Sequence, residues 1–134
     1  MLEPLGPQHN ERDYAAWTSS IDHVRSTPGF PYGTWPHEMT LDENLADLEQ
    51  HARDFATRSG FTYTVLDPAD TDVIGCVYIY PNRDAPGASV RSWVRADHSD
   101  LDVPLAEAIA AWLSAEWPFE QVRYAGRPGL STTS

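Results

Sequence analysis

Apolar positions along this chain change their spacing several times, and each change marks an element. Leu2 to Leu5 is a short apolar start closed by Gly6 and Pro7, which predicts a first strand near the terminus. Tyr14, Trp17, Ile21 and Val24 then recur at helical spacing. A first amphipathic helix is therefore expected over Glu11 to Arg25. Asn10 is its expected N-cap, Asp13 the capping-box partner and Thr27-Pro28-Gly29 the stop. Phe30 to Met39 mixes proline and glycine with the large aromatics Phe30, Tyr32 and Trp35, and reads as a loop. Thr40-Leu41-Asp42-Glu43 is a capping box, and Leu41, Leu45, Leu48, Ala52 and Phe55 make one apolar stripe. They predict a second helix over Leu41 to Ser59, with Gly60 as its C-terminal cap.

The period then falls to two. Phe61 to Leu66 alternates apolar residues with threonine, and Val73 to Tyr80 is dense in β-branched and aromatic residues. Ser89 to Ala96 is a third strand of this run, with Val90, Ser92 and Val94 on one face and Arg91, Trp93 and Arg95 on the other. Asp100 or Asp102 caps a last helix that tolerates Pro104 in its first turn and buries Leu105, Ile109, Trp112 and Leu113. Phe119 to Ala125 is the final strand, and residues 126–134 read as a loose tail. Residues 1–125 thus form one α/β (α+β) domain in the order β-α-α-β-β-β-α-β. The three adjacent strands predict an antiparallel meander, and the last crossover predicts a parallel pair. The result is a mixed sheet with helices on both faces.

Charge and composition narrow the function. The chain has 134 residues, the size of one domain, and a net charge of −11 from 9 basic and 20 acidic residues. All the basic residues are arginine. Such a surface argues against nucleic-acid and anionic-membrane binding and favours amine or other cationic partners. No apolar run is long enough to span a bilayer, and no charged-then-apolar leader opens the chain, so a cytoplasmic protein is expected. One cysteine excludes a disulfide framework and a multi-cysteine zinc site. Cys76 itself reads as a small buried apolar side chain. Asp97-His98-Ser99-Asp100-Leu101-Asp102 lacks the turn glycine and distal glutamate of a calcium loop, so it reads as a solvated helix start and no metal is expected.

The element order resembles that of the GNAT superfamily of acetyltransferases. Leu2-Glu3-Pro4-Leu5 is similar to that family's opening strand, Asp72 to Tyr80 with its Val73-Ile74-Gly75 step to the third, Ser89 to Arg95 to the fourth, and Ala106 to Leu113 to the helix that follows. The resemblance implies that the fourth and fifth strands splay, that acyl-coenzyme A enters between them, and that its pantetheine arm pairs with fourth-strand backbone at Val94, Arg95 and Ala96. It further implies that the pyrophosphate rests on backbone N–H groups at the next helix N-terminus, in a motif R/Q-x-x-G-x-G/A.

The chain departs from the family at that motif. No glycine lies between Gly87 and Gly126, and the matching stretch is Ser99-Asp100-Leu101-Asp102-Val103-Pro104. Pro104 has no N–H to donate. Asp97, Asp100 and Asp102 bring negative charge, and like charges about 4 Å apart repel by roughly 1 kcal/mol even in water. The family's last helix and final strands have no counterpart after Ala125, which leaves an edge that a homodimer is expected to cover.

The resemblance implies transfer of an acetyl group from acetyl-CoA to the amine of a small molecule. The altered loop points instead to a protein of the same fold that binds a small ligand or a partner protein without the coenzyme, or that reuses the cleft for other chemistry. In either case the site is expected between the Phe30–His37 loop and one face of the central strands. Phe30, Tyr32, Trp35, His37, Arg91 and Trp93 are the substrate-binding candidates, Arg91 as a clamp for a carboxylate or phosphate. Tyr78 and Tyr80 are the candidate catalytic acids. Each has a structural reading beside the functional one: aromatics that pin a loop, tyrosines of a strand, and an arginine paired with a carboxylate.

Overall fold

A computed structural model describes residues 1–30, 35–82 and 87–131. Its elements are β1 (Leu2–Pro4), α1 (Asn10–Thr18), α2 (Ile21–Ser26), α3 (Leu41–Thr57), β2 (Phe61–Leu66), β3 (Val73–Pro81), β4 (Gly87–Val94), α4 (Asp102–Glu116) and β5 (Gln121–Tyr124). Short 3-10 turns cover Pro7–His9, Ala96–Leu101 and Pro128–Leu130. The strands lie in the order β1-β2-β3-β4-β5, antiparallel up to β4 and parallel between β4 and β5. This is the mixed sheet expected from the residue pattern. No helix among the described residues is long and apolar enough to cross a membrane.

The long first helix is in fact two. Its apolar spacing runs unbroken from Trp17 to Val24, both fully buried. Between them the Thr18 and Ser19 hydroxyls turn back onto the carbonyls of Tyr14 (2.6 Å) and Ala16 (2.8 Å), and Ser20 leaves the helical region at φ −135°. Hydroxyl side chains that bond local backbone compete with the helix, and two in a row end it at Ser20. Ser20 Oγ is then free to accept the N–H of Ala96 at 2.9 Å, tying this break to the end of β4. Asn10 is the first residue of α1 and caps nothing; its amide reaches Leu41 and Asn44 instead.

The start of α3 is as predicted: Thr40 Oγ1 accepts from the Glu43 N–H at 3.1 Å, and Glu43 Oε1 accepts from the Thr40 N–H at 2.9 Å. Its end is not. Arg58, at φ 62°, takes the left-handed position expected of a glycine, and the helix stops at Thr57. Gly60 serves a different purpose. A Cβ there would lie 2.5 Å from Cε1 of Tyr80, so the glycine lets that ring pack against the chain.

The sheet separates two cores. Trp17, Phe30, Leu48, Cys76, Tyr78 and Trp93 fill the side covered by α1, α2 and α3. Val77, Ile79, Val90, Ile109, Leu113 and Tyr124 fill the α4 side. Cys76 is fully buried, and burial pushes its thiol far above the usual range, as suits a core residue. Asp102 is the first residue of α4 and not its cap, and Asp100 does not cap it either. Residues 126–131, expected as part of a loose tail, are tied down. Arg127 Nη2 donates to both Asp102 oxygens at 2.8 Å, and Ser131 Oγ accepts from the Tyr124 N–H at 2.9 Å.

Candidate functional site

The β3–β4 register places Tyr78 opposite Arg91 and Cys76 opposite Trp93. With the two-residue period of a strand, Tyr78, Tyr80, Arg91 and Trp93 therefore share the face turned toward α1 and α3. From the other side α3 presents Asn44, Asp47, Leu48, His51 and Asp54, spaced three or four apart along one flank. Asp13 of α1 and Trp35 of the following loop complete the walls of a cavity of about 270 Å³.

Asn44 fixes the floor of this cavity. Its amide donates to Asn10 Oδ1 at 2.8 Å and to Asp13 Oδ2 at 3.2 Å, and its oxygen accepts from Trp17 Nε1 at 3.0 Å. The orientation of Asp13 is thus set by a buried side chain whose own hydrogen bonds are used on α1. Asp13 is only 4% exposed. Burial raises its pKa from 3.8 to about 6; the Asn44 hydrogen bond opposes the rise and the Asp47 charge adds to it. Near neutral pH it is a carboxylate in a largely dry setting, with one oxygen that no group among the described residues bonds.

His51 lines the same cavity. Burial lowers its pKa, against the pull of Asp47 and Asp54, so the ring is neutral at pH 7. Nδ1 lies 3.1 Å from Thr62 Oγ1 and 3.2 Å from the Tyr80 hydroxyl. An Nδ1–H donated to either hydroxyl leaves Nε2 with its lone pair and no partner among the described residues. Burial raises the Tyr80 pKa, so this hydroxyl stays protonated at pH 7.

Arg91 crosses the wall between pocket and core. Its guanidinium lies 4.7 Å from the Phe30 ring centroid and 5.1 Å from that of Tyr78, and it donates to Gly29 O at 3.4 Å. It makes no ion pair among the described residues, so it is not the structural partner of a carboxylate.

The structure therefore brings Trp35, Tyr78, Tyr80 and Arg91 to one cavity and leaves other expected residues out of it. Phe30 and Trp93 are 1% and 0% exposed and back the wall from behind. The Tyr78 ring lines the cavity, but its buried hydroxyl accepts from Trp93 Nε1 at 3.0 Å, and burial pushes its pKa well up. It is a wall rather than an acid. His37 is exposed, its Nδ1 lying 3.1 Å from the Glu38 carbonyl, and it does not line the cavity. Tyr32 lies outside the described residues. Asp13, Asn44, Asp47, His51 and Asp54 were missing from the expected set. A signal for four of them was present: a polar flank at 44, 47, 51 and 54 beside the apolar stripe of the same helix.

The strand gap matches the implied splay, but its contents do not suit a coenzyme. Pairing between β4 and β5 ends at Val90, with Ala125 N–H donating to its carbonyl at 2.8 Å. Beyond that point the Ser92 and Tyr124 hydroxyls meet at 2.5 Å across the gap. Gly126 closes on Pro28 and Gly29, with φ 72° and space for no side chain: a Cβ would sit 2.7 Å from Pro28 Cβ. Two of the three residues expected to hold the pantetheine are already engaged. The Arg95 N–H donates to Ile74 O and the Ala96 N–H donates to Ser20, whereas Val94 sits opposite Gly75 in a non-hydrogen-bonded pair, with its own N–H and C=O turned toward the β5 side. At the α4 N-terminus Arg127 faces Asp102 where a pyrophosphate would rest, and Pro104 offers no donor. These residues do not fit acyl-coenzyme A. Among the described residues no group of three metal-ligating side chains comes together.

No protein-family profile matches the sequence, and no curated protein matches it at a significant level. Solved structures do match in shape. A putative ribosomal-protein-serine acetyltransferase from Vibrio cholerae superposes with a TM-score of 0.69 at 12% identity over 90% of this chain and 66% of its own. The microcin C7 self-immunity acetyltransferase, solved with acetyl-CoA and AMP, gives 0.65 at 13% identity over 90% of this chain and 66% of its own. Spermidine N-acetyltransferase from Vibrio cholerae, solved with CoA and spermine, gives 0.65 at 13% identity over 91% and 68%. The chain thus spans about two-thirds of the length of these proteins, and its fold is that of the GNAT acetyltransferases.

Proposed function

We propose that the chain binds a small organic amine in the cavity between α1, α3 and the β3–β4 face, without a coenzyme. One observation carries this reading: Asp13, a 4% exposed carboxyl with an unshared oxygen, lines an open cavity beside Asp47 and Asp54. An ammonium group is the natural complement of such a set. Trp35 adds an aromatic wall on which a cation can rest. Tyr80 and His51 supply a hydroxyl and a neutral imidazole, groups that hydrogen-bond an amine. Arg91 completes the wall as a substrate-binding residue.

A second reading is acyl transfer from acyl-coenzyme A to that amine. The likeness to acetyltransferases favours it, and the occupied strand gap opposes it. Fold alone does not carry an activity.

Calorimetry separates the two readings. Cadaverine, a simple diamine, is expected to bind with saturable heat at pH 7.5, and acetyl-CoA is expected to give none. Mass spectrometry of a mixture of protein, cadaverine and acetyl-CoA is expected to show no acetylated amine. Saturable acetyl-CoA binding with product formation would establish acyl transfer in its place.

A further inference from the structure

We propose that the cavity selects a small diamino acid, a molecule with one carboxylate and two amino groups; this rests on the amine reading above. The size fits first. A volume of about 270 Å³ is that of roughly nine waters at ~30 Å³ each. It lies just under the range of about 300–1,000 Å³ that takes drug-sized ligands. The occupant is a molecule of about ten non-hydrogen atoms.

Charge then divides the cavity into two ends. Asp13, Asp47 and Asp54 supply three carboxylates, of which Asp13 keeps one oxygen unbonded and Asp54 accepts from Gln50 Nε2 at 2.8 Å. Arg91 supplies a guanidinium that pairs with none of them, although all four line the same space. An arginine inserted among carboxylates ordinarily pairs. Here the Phe30 and Tyr78 rings and the Gly29 carbonyl hold it to the opposite wall. A guanidinium held against aromatic rings has lost little of its fork, and that fork matches a carboxylate with two parallel hydrogen bonds.

An amine alone leaves this guanidinium without a counter-charge. A monoamino acid satisfies it but brings only one ammonium to three carboxylates. A diamino acid answers both ends: its carboxylate meets Arg91, and its side-chain ammonium, at the far end of the molecule, meets the aspartates. His51, neutral and with no partner for Nε2 among the described residues, adds a hydrogen-bonding group without adding charge.

Three probes test the proposal by calorimetry on the full chain at pH 7.5 and low salt. L-lysine has the proposed groups, cadaverine lacks only the carboxylate, and L-norleucine lacks only the side-chain amine. Lysine is expected to bind about tenfold or more tighter than either. Arg91→Met, whose unbranched side chain still packs on Phe30 and Tyr78, is expected to reduce lysine to the affinity of cadaverine. Its melting temperature checks that it folds; if it does not, the lysine-to-cadaverine ratio of the unaltered protein decides. Cadaverine binding as tightly as lysine would overturn this inference and leave the amine reading standing. Norleucine binding as tightly as lysine would overturn it as well. If neither lysine nor cadaverine binds, the inference and the amine reading fall together.

Discussion

Asp13→Asn is expected to stabilise this protein at neutral pH, although it removes a charged group from the best-defined polar site. The carboxyl is 4% exposed, and burial moves its pKa from 3.8 in the unfolded chain to about 6 in the fold. Between those values the folded state holds a proton that the unfolded state has lost. The sign follows from this. Below about pH 4 both states are protonated and Asp13 costs nothing. As pH rises toward 6 the folded state must ionise a buried group, and the cost grows until it levels off above about pH 6. A displacement of about two units corresponds to ~3 kcal/mol at about 1.36 kcal/mol per unit.

His51 slopes the opposite way. Its pKa is lowered by burial, so stability is lost as pH falls through the ordinary imidazole range. The difference between the protein and its variant cancels this contribution. Asparagine matches the size of aspartate and still offers Asn44 Nδ2 an acceptor. Urea unfolding should therefore give a variant more stable by ~2–3 kcal/mol at pH 7.5. With a slope of about 2 kcal/mol per molar urea, the midpoint rises by roughly 1 M or more. The gap should close by pH 4. A variant less stable than the parent at pH 7.5, or a gap that ignores pH, refutes the electrostatic account of the pocket.

Thr40→Ala removes the hydroxyl half of the α3 capping box and should cost about 1 kcal/mol of stability by chemical denaturation. Gly60→Ala places a Cβ 2.5 Å from the Tyr80 ring; it should cost about 1–3 kcal/mol and shift the His51 ring resonances in NMR as Tyr80 is pushed off it. Asp102→Asn leaves the Arg127 guanidinium, 11% exposed, facing a neutral amide, and should lower stability by about 3 kcal/mol in a thermal melt.

How far the sequence was legible differs by element. The sheet was readable because its strands are bounded by turn residues and alternate cleanly; β2 runs over the predicted Phe61 to Leu66. The capping box of α3 was readable because two hydrogen bonds decide it locally. The break between α1 and α2 was hidden, since Tyr14, Trp17, Ile21 and Val24 keep one helical phase across it. Only the packing of Ser20 against Ala96, 76 residues away, shows why three hydroxyl residues are placed there. Gly60 misled for a related reason: a glycine after a helix suggests a cap, whereas the contact requiring it comes from Tyr80 on β3. For the site, strand parity set Tyr78 with Tyr80 and Arg91 with Trp93, but the register that joins the two sets on one face and turns it toward α3 is a tertiary fact. Asp13 read as a capping residue because its position near a helix start explains an aspartate well enough. Its cavity becomes visible only once α1 and α3 are laid on the sheet.

The distribution of unmet polar demand gives the pocket its significance. Elsewhere in the core the larger buried polar groups are answered. Asn44 uses its amide on three partners, His9 Nδ1 accepts from the Gly6 N–H, Ser92 meets Tyr124, and Trp93 donates to Tyr78. The exceptions are small: one ring nitrogen of His23, the Thr64 hydroxyl, and Arg127 Nε on a guanidinium that already faces Asp102. In the pocket, among the described residues, an oxygen of Asp13 and His51 Nε2 have no protein hydrogen bond and the Arg91 guanidinium has no ion pair, and these groups open onto the cavity rather than lying sealed in the core. A fold under selection for stability alone has cheaper solutions at position 13, asparagine among them. Groups kept in costly ionisation states cluster where binding or chemistry needs them. The same residues that weaken the apo fold are those a small cationic ligand would neutralise. Ligand binding should therefore raise stability more above pH 6, where Asp13 is ionised, than at pH 5, where it is protonated. Thermal melts with and without millimolar lysine at the two pH values measure this directly, and an equal ligand-induced shift at both would remove Asp13 from the binding set.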